Sequence, residues 1–379
     1  MAHSIFFLDH ALALGGAEHS LLLILKYLDR AQWLPHLVCA GGPLAEEALR
    51  LGIPVHIQPM PRLRRSPRCL LDWLRGAKAI AQLARQSDAA LLYANTVRAA
   101  FYGAMAAQWA RQPFIWHMRD FWLGESRPRY PWMDTLGKAL LCAVAHHVVA
   151  NSQAVARQLP CRHQVVVNYN GIELQRFHPT MDGQLFREDY HIPAQAPLVG
   201  MIGRLRPWKG QDHFLRMAAR VRTRVAETWF VIVGGAIFDP NDQYLQQLRT
   251  LATNLGIAER VVFTGHLADV RPALAAMDVF VHPGDPEPFG LVNIEAMAMG
   301  KPVVAFAHGA LPEIVLDRDT GLLVPPEDEA ALAEAVITLL QDRALRKRMG
   351  EAGRARVEAQ FTAQRMVETV EKVLEEALR

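Results

Sequence analysis

The sequence predicts an α/β protein made of two doubly wound parallel-sheet domains. Three observations carry that prediction. Short β-branched and aromatic runs recur, as at residues 4–9, 228–233 and 278–281, and helical patterns lie between most of them. Glycine turns close several of the runs, as at Gly15-Gly16, Gly234-Gly235 and Gly265. A chain of 379 residues exceeds what one compact core usually serves.

The first strand is expected at 4–9, the glycine turn at 14–18 and an amphipathic helix at 18–28. Strand-like runs follow at 37–40, 55–58, 89–93, 113–117, 147–150 and 164–167. A stretch from 170 to about 196 reads as interdomain link, ending in the Pro-rich sequence HIPAQAP. The second sheet opens at 197–203 and continues at 228–233, 261–264, 278–281, 302–304 and 322–324, with a final helix at 361–378. The expected domains are 1–178 and 197–360, joined by a linker at 179–196 and followed by the terminal helix 361–379.

Composition narrows the class. With 51% hydrophobic and 21% charged residues the chain is globular, not disordered. The net charge of +3 hides an asymmetry, +8 over residues 1–180 and −5 over 181–379. A basic first half suits an anionic surface, a membrane or a phosphorylated acceptor. Cys39, Cys69, Cys142 and Cys161 are scattered without a C-x-x-C pair. No disulfide framework or zinc site is expected, and a reducing cytoplasm fits. The N-terminal apolar run lacks a leading Lys or Arg and contains Asp9, so it reads as a strand and not as a signal peptide. The segment 139–156 is interrupted by His146, His147, Asn151 and Gln153, too polar for a membrane span.

One stretch departs from the strand–helix alternation. Residues 61–85 begin Arg-rich and become an amphipathic helix, with Leu70, Trp73, Leu74, Ala77, Ile80 and Leu83 on one stripe and Arg68, Arg75, Lys78 and Arg85 adding charge. That combination suits a membrane surface, and the stripe equally suits a core-facing side.

The densest chemistry lies at 281–304, VHPGDPEPFGLVNIEAMAMGKPVV. A buried strand ends at Pro283-Gly284, and a helix is expected over 290–299. Phe289, Gly290 and Leu291 put backbone N–H groups at that helix start, where the dipole favours a diphosphate. Glu295 is placed to accept from ribose hydroxyls, and Glu287 to hold a sugar hydroxyl at the C-terminal end of the strand. Upstream, Arg204, Arg206 and Lys209 crowd the turn after strand 197–203. Fixed cations of this kind stabilise a diphosphate as it leaves. His117 closes strand 113–117, and Gly15-Gly16 lets backbone approach a ligand. Asp317-Arg318-Asp319 has the form D-x-D but sits in a surface turn, and no metal role is expected for it.

The E-x7-E frame in EPFGLVNIEAMAMGKPVVA resembles the retaining glycosyltransferase family 4, as do GRLRPWKG (203–210), VVFTGH (261–266), HGALPEIV (308–315), TGLLVPPED (320–328), LALGGAEHSLLLILKYL (12–28), ANSQAV (150–155) and NGIELQRFHP (170–179). The matches span nearly the whole chain and are densest over 197–330. The resemblance implies the GT-B fold, with its active site in the interdomain cleft and its last helix packing back on the first domain. It implies retaining, metal-independent sugar transfer from a UDP- or GDP-sugar to a glycan or lipid-linked acceptor. It also implies roles: Arg204 and Lys209 on the diphosphate, Glu287 on the donor sugar, Glu295 on ribose, His117 near the reacting centre, and Gly15-Gly16 near acceptor and phosphates. The alternatives are a GT-B sugar-nucleotide epimerase and a silent sugar-nucleotide-binding protein. A dehydrogenase is disfavoured, because no G-x-G-x-x-G follows the first strand. The expected setting is cytoplasmic, peripheral on the inner membrane face through 61–85, with no nucleic-acid partner.

Overall fold

The computed structural model describes residues 2–62, 67–124, 128–162, 165–235 and 243–379. The chain divides into two compact units, residues 1–172 with 363–379, and residues 173–362.

The first unit holds seven parallel strands: β1 (His3–Leu8), β2 (Trp33–Cys39), β3 (Val55–Ile57), β4 (Ala89–Ala94), β5 (Phe114–Met118), β6 (His147–Ala150) and β7 (Val165–Val167), ordered β3-β2-β1-β4-β5-β6-β7. Successive side chains point to opposite faces of a strand, and here both faces are covered. Ile5 and Phe7 enter one apolar layer, Phe6 and Leu8 the other, and all four are fully buried. This is why β1 reads as an unbroken apolar run and not as an alternating one.

The last helix, Ala363–Ala377, belongs to this unit. Met366, Val367, Val370, Val373 and Leu374 recur at helical spacing and are buried beside Ile5, Phe7 and Leu21. The chain re-enters the unit where the Ala363 N–H donates to the Ile172 carbonyl at 3.0 Å. The helix crossing back is therefore built into the hydrophobic core.

The amphipathic segment resolves into the helix Pro67–Gln86. Ala77 and Ile80 of the expected stripe enter the core, with Trp73 and Leu83 packed against it. Leu70 and Leu71 are exposed, as are Arg68, Arg75, Lys78 and Arg85. The Arg-rich loop at 63–66 lies outside the described residues. Among the described residues no helix is long and apolar enough to cross a membrane.

One expectation is overturned. Cys142 and Cys161 form a disulfide, with Cα atoms 5.1 Å apart. Cys142 sits near the end of helix Pro131–Val144, and Cys161 follows helix Gln153–Ala156. Their 19-residue separation spans β6, so the pairing arises from the fold and has no local signature.

The second unit holds six parallel strands: β8 (Leu198–Ile202), β9 (Trp229–Val233), β10 (Val261–Gly265), β11 (Val279–His282), β12 (Val303–Phe306) and β13 (Gly321–Val324), ordered β10-β9-β8-β11-β12-β13. Residues 179–196 lie in this unit and carry the helix Gln184–Asp189. Arg187 ties that helix down by donating to the Ala196 and Ala276 carbonyls at 2.8 and 2.7 Å.

Candidate functional site

The winding direction of the second sheet reverses between β8 and β11. Open parallel sheets bind ligands at such a reversal, outside the carboxyl ends of the strands. The two loops that leave β8 and β11 there are 203–210 and 283–290, and they carry Arg204, Lys209 and Glu287.

Backbone packs on backbone where the loops meet. Gly210 is left-handed (φ 74°), and a Cβ on it would fall 2.0 Å from the Pro283 carbonyl oxygen. Only glycine permits that approach. The Asp285 N–H donates to the Trp208 carbonyl at 2.8 Å. The result is a short ion pair, Lys209 Nζ to Glu287 Oε2 at 2.6 Å, with both side chains about one-fifth exposed. Burial pushes the Glu287 carboxyl up, but the Lys209 ammonium, His282 and Arg204 outweigh it and hold the group below its ordinary value. Arg204 is exposed, and its carbonyl is held by Gln211 Nε2 at 3.0 Å. The guanidinium of Arg206 lies 5.9 Å from the ring centroid of Trp208, which is exposed.

Gly290 caps the helix Leu291–Ala298 in a left-handed conformation (φ 84°). A Cβ there would lie 2.5 Å from Asn293 Nδ2 and 3.0 Å from Glu287 Cγ, so the protein's own side chains already demand glycine. Phe289 is buried and meets Phe361 edge-on at 6.0 Å. Leu291 opens the helix, at the end where the helix dipole is positive; the Asn293 N–H of its first turn donates to the Gly290 carbonyl at 3.0 Å. Glu295, one turn further, is half-buried, and burial pushes its carboxyl up to about 7, against a weaker pull from Arg176.

Gly234, just after β9, donates its N–H to the carbonyl of Gly265, the last residue of β10, at 3.0 Å. Residues 236–242 lie outside the described residues. In the D-x-D turn, Asp317 Oδ1 accepts from the Leu323 N–H at 2.9 Å and Arg318 is left-handed. Among the described residues no cluster of three or more His, Cys, Asp or Glu side chains is placed to hold a metal ion.

His282 was not singled out by the sequence. It ends β11, is 6% exposed, and puts Nε2 3.7 Å from Glu287 Oε2. Its only local signal is a polar residue closing an apolar strand just before proline.

The first unit has its own polar cluster, at the reversal between β1 and β4. Asp9 is fully buried and accepts from the Ala11 N–H at 2.8 Å and from Asn95 Nδ2 at 2.7 Å. Arg119 donates to Asn95 Oδ1 at 2.7 Å and Asn170 Oδ1 at 2.6 Å. Gly15 and Gly16 sit beside this cluster. The Gly15 N–H donates to Glu18 Oε2 at 2.8 Å, and Gly15 is extended, not left-handed. Burial, then the nearby Asp9 carboxylate, pushes Glu18 up to about 7. His117 on β5 is fully buried, with Nδ1 2.6 Å from the Tyr93 hydroxyl and Nε2 without a partner. Burial, and then Arg119, pushes its imidazole well below the ordinary value, so it is neutral.

Comparison with known proteins covers both units. The family described as Glycosyltransferase Family 4 matches residues 14–176, and that described as Glycosyl transferases group 1 matches residues 182–356. A GDP-mannose-dependent alpha-(1-6)-phosphatidylinositol monomannoside mannosyltransferase of Mycolicibacterium smegmatis is 42% identical over 194 residues, 48% of this chain and 49% of that protein. The lipopolysaccharide core biosynthesis mannosyltransferase LpsB of Rhizobium meliloti is 31% identical over 235 residues, 61% of this chain and 66% of that one. The chain thus spans about half to two-thirds of the length of these curated relatives. The crystal structure of Anabaena Alr3699/HepE in complex with UDP superposes with a TM-score of 0.86 at 29% identity, over 98% of this chain and 100% of that one. On the two matches and the shared two-sheet fold, the chain belongs to glycosyltransferase family 4 and has the GT-B fold.

Proposed function

We propose that the protein is a retaining glycosyltransferase that takes a sugar from a GDP- or UDP-sugar and passes it to a lipid-linked glycan precursor. The observation that carries the reading is the Lys209–Glu287 pair, held at a sheet reversal beside Arg204 and a helix N-terminus.

The chemistry follows from that arrangement. Departure of a nucleoside diphosphate builds negative charge on its outer phosphate oxygens. Arg204 and Lys209 neutralise that charge, Arg as a fork and Lys as a point charge. The N-terminus of helix Leu291–Ala298 adds its dipole and first-turn N–H groups. Glu287 is ionised, orients a hydroxyl of the donor sugar and stabilises an oxocarbenium-like transition state. Glu295 accepts from the ribose hydroxyls, which would compensate a carboxyl otherwise half-buried. The acceptor attacks on the face from which the diphosphate departs, and the leaving phosphate oxygen takes its proton. No metal is required for this route.

Two relatives act, by their names, in phosphatidylinositol mannoside and lipopolysaccharide core synthesis, which supports a lipid-linked acceptor. Exposed Leu70 and Leu71 beside Arg68 and Arg75 support peripheral contact with an anionic membrane.

The test is transfer of radiolabel from GDP-mannose and UDP-glucose, tried separately, to membrane lipid extract, with and without EDTA. Organic-phase label from one donor, unaffected by EDTA, is expected. Glu287→Ala should lower turnover by roughly two orders of magnitude. NMR of the product's anomeric proton reads retention. Transfer that survives in Glu287→Ala, or donor isomerisation without acceptor, would overturn the reading.

A further inference from the structure

The Lys209–Glu287 pair raises a question that the proposed chemistry, on which this inference rests, does not answer. Lys209 cannot give its full charge to a departing diphosphate while it neutralises Glu287 at 2.6 Å. When Lys209 turns to phosphate, Glu287 is left as a largely buried carboxylate without its closest partner. Such a group is costly and tends to take up a proton. A protonated Glu287 would no longer stabilise a cationic sugar.

His282 is placed to solve this. Its Nε2 faces the same oxygen that Lys209 holds, Glu287 Oε2, at 3.7 Å. That is just beyond hydrogen-bond length, so in the resting protein Lys209 has the oxygen and His282 stands behind it. What matters is whether Nε2 carries a proton, and Asn293 decides that. Asn293 Nδ2 lies 3.0 Å from the Gly290 carbonyl, which can only accept, so the amide nitrogen must face it. The same NH2 group lies 3.2 Å from His282 Nδ1. With one hydrogen given to Gly290 and the other directed at Nδ1, Nδ1 must be the lone-pair nitrogen. In a neutral ring the proton then sits on Nε2, aimed at Glu287. Burial, opposed mainly by Glu287, keeps the ring neutral, pushing it down to about 4.

We propose that His282 is a positioning residue that takes over Glu287 Oε2 through its Nε2–H when Lys209 transfers to the donor diphosphate, and that Asn293 locks the tautomer this requires. No covalent bond forms or breaks, and no proton changes owner. The handover keeps Glu287 ionised and pointed while its first partner is engaged elsewhere.

The test has two readouts on the full-length chain. Selective 15N labelling of histidine, with the His282 signal identified by its loss in His282→Gln, reports the tautomer directly and needs no activity. The neutral Nε2–H form is expected without nucleotide, and its proton should move downfield when the preferred nucleoside diphosphate engages Lys209. A neutral Nδ1–H form would overturn the proposal whatever the enzyme does. The second readout is kinetic. His282→Gln keeps an amide N–H near the Nε2 position and should retain turnover within about threefold of wild type. His282→Leu, which fills the space without a donor, should lose roughly tenfold to a hundredfold in kcat, the range for a hydrogen bond to a charged group, with donor KM changed much less. Equal turnover in the Leu and Gln variants would also overturn it. Absence of transfer by the wild type with any donor would instead refute the functional reading, and the tautomer would still decide this one.

Discussion

Replacing Lys209 with Ala tests the coupling at the heart of the site without any substrate. In the wild type, Lys209 leads the groups that together outweigh burial and keep Glu287 below its ordinary carboxyl value. A depressed carboxyl contributes stability above its unfolded value of 4.5, and that contribution is lost as pH falls through the folded value. Remove Lys209 and the largest pull opposing burial is lost, so the Glu287 carboxyl rises, although Arg204 and the facing His282 Nε2–H still favour its ionised form in part. The variant then carries a poorly compensated carboxylate, unfavourable above pH 4.5 and relieved as acid neutralises it. Leaving one member of a buried pair alone costs about 3–5 kcal/mol. Both side chains here are about one-fifth exposed, so roughly 2 kcal/mol is the better figure at pH 8. For a domain of 150–250 residues that corresponds to a fall in Tm of roughly 4–8 °C. The assay is thermal denaturation of wild type, Lys209→Ala, Glu287→Gln and the double variant at pH 5 and pH 8. The loss in Lys209→Ala should be large at pH 8, much smaller at pH 5, and mostly absent when Glu287→Gln is already present. A loss equal at both pH values, or additive with Glu287→Gln, would refute the argument that the two groups act as one electrostatic unit.

Three further outcomes are expected. Glu295→Gln should raise Tm at pH 8 and leave it unchanged at pH 4.5, because its carboxyl is raised to about 7 and ionisation above 4.5 costs folded-state stability; the same variant should weaken binding of the preferred nucleoside diphosphate by roughly tenfold in calorimetry, as loss of a charged acceptor does. Cys142→Ser should lower stability by about 3 kcal/mol, the loop-closure value for a bridge of this span, while mass spectrometry of the wild type should find two free thiols and not four. A chain ending at residue 362 should aggregate on expression, because the helix Ala363–Ala377 covers Ile5, Phe7 and Leu21; a soluble, cooperatively melting truncation would show that this helix is dispensable to the core.

The parts of the fold that the sequence reveals are those whose cause is local. Strands β8, β9, β11 and β12 show as apolar runs because both faces of their sheet are covered, and Gly290 marks a helix start because a left-handed cap suits glycine. Glu287 and Lys209 stand out because each lies in a turn directly after such a strand. Their contact is another matter. It depends on Gly210 lying against Pro283, 73 residues later in the chain, backbone on backbone. His282 looked like the end of a strand, and its meaning depends on a hydrogen bond from Asn293 across a turn. Arg119 donates to Asn95 and Asn170 on other segments, a pairing with no local signature. The Cys142–Cys161 bridge was missed for the same reason, since the strand between the two cysteines brings them together. The Arg-rich stretch at 63–66, the most suggestive basic sequence, lies outside the described residues.

The central claim is that the second unit binds a nucleoside diphosphate through Arg204, Lys209 and the start of helix Leu291–Ala298. Calorimetric titration of the full-length protein with GDP, UDP, ADP and NAD tests it most directly. Binding of GDP or UDP, weakened about tenfold or more by Arg204→Ala, as expected for loss of a charge-assisted phosphate contact, is the result the account predicts. Binding of NAD alone, or binding of GDP or UDP that Arg204→Ala and Lys209→Ala leave unchanged, would contradict it.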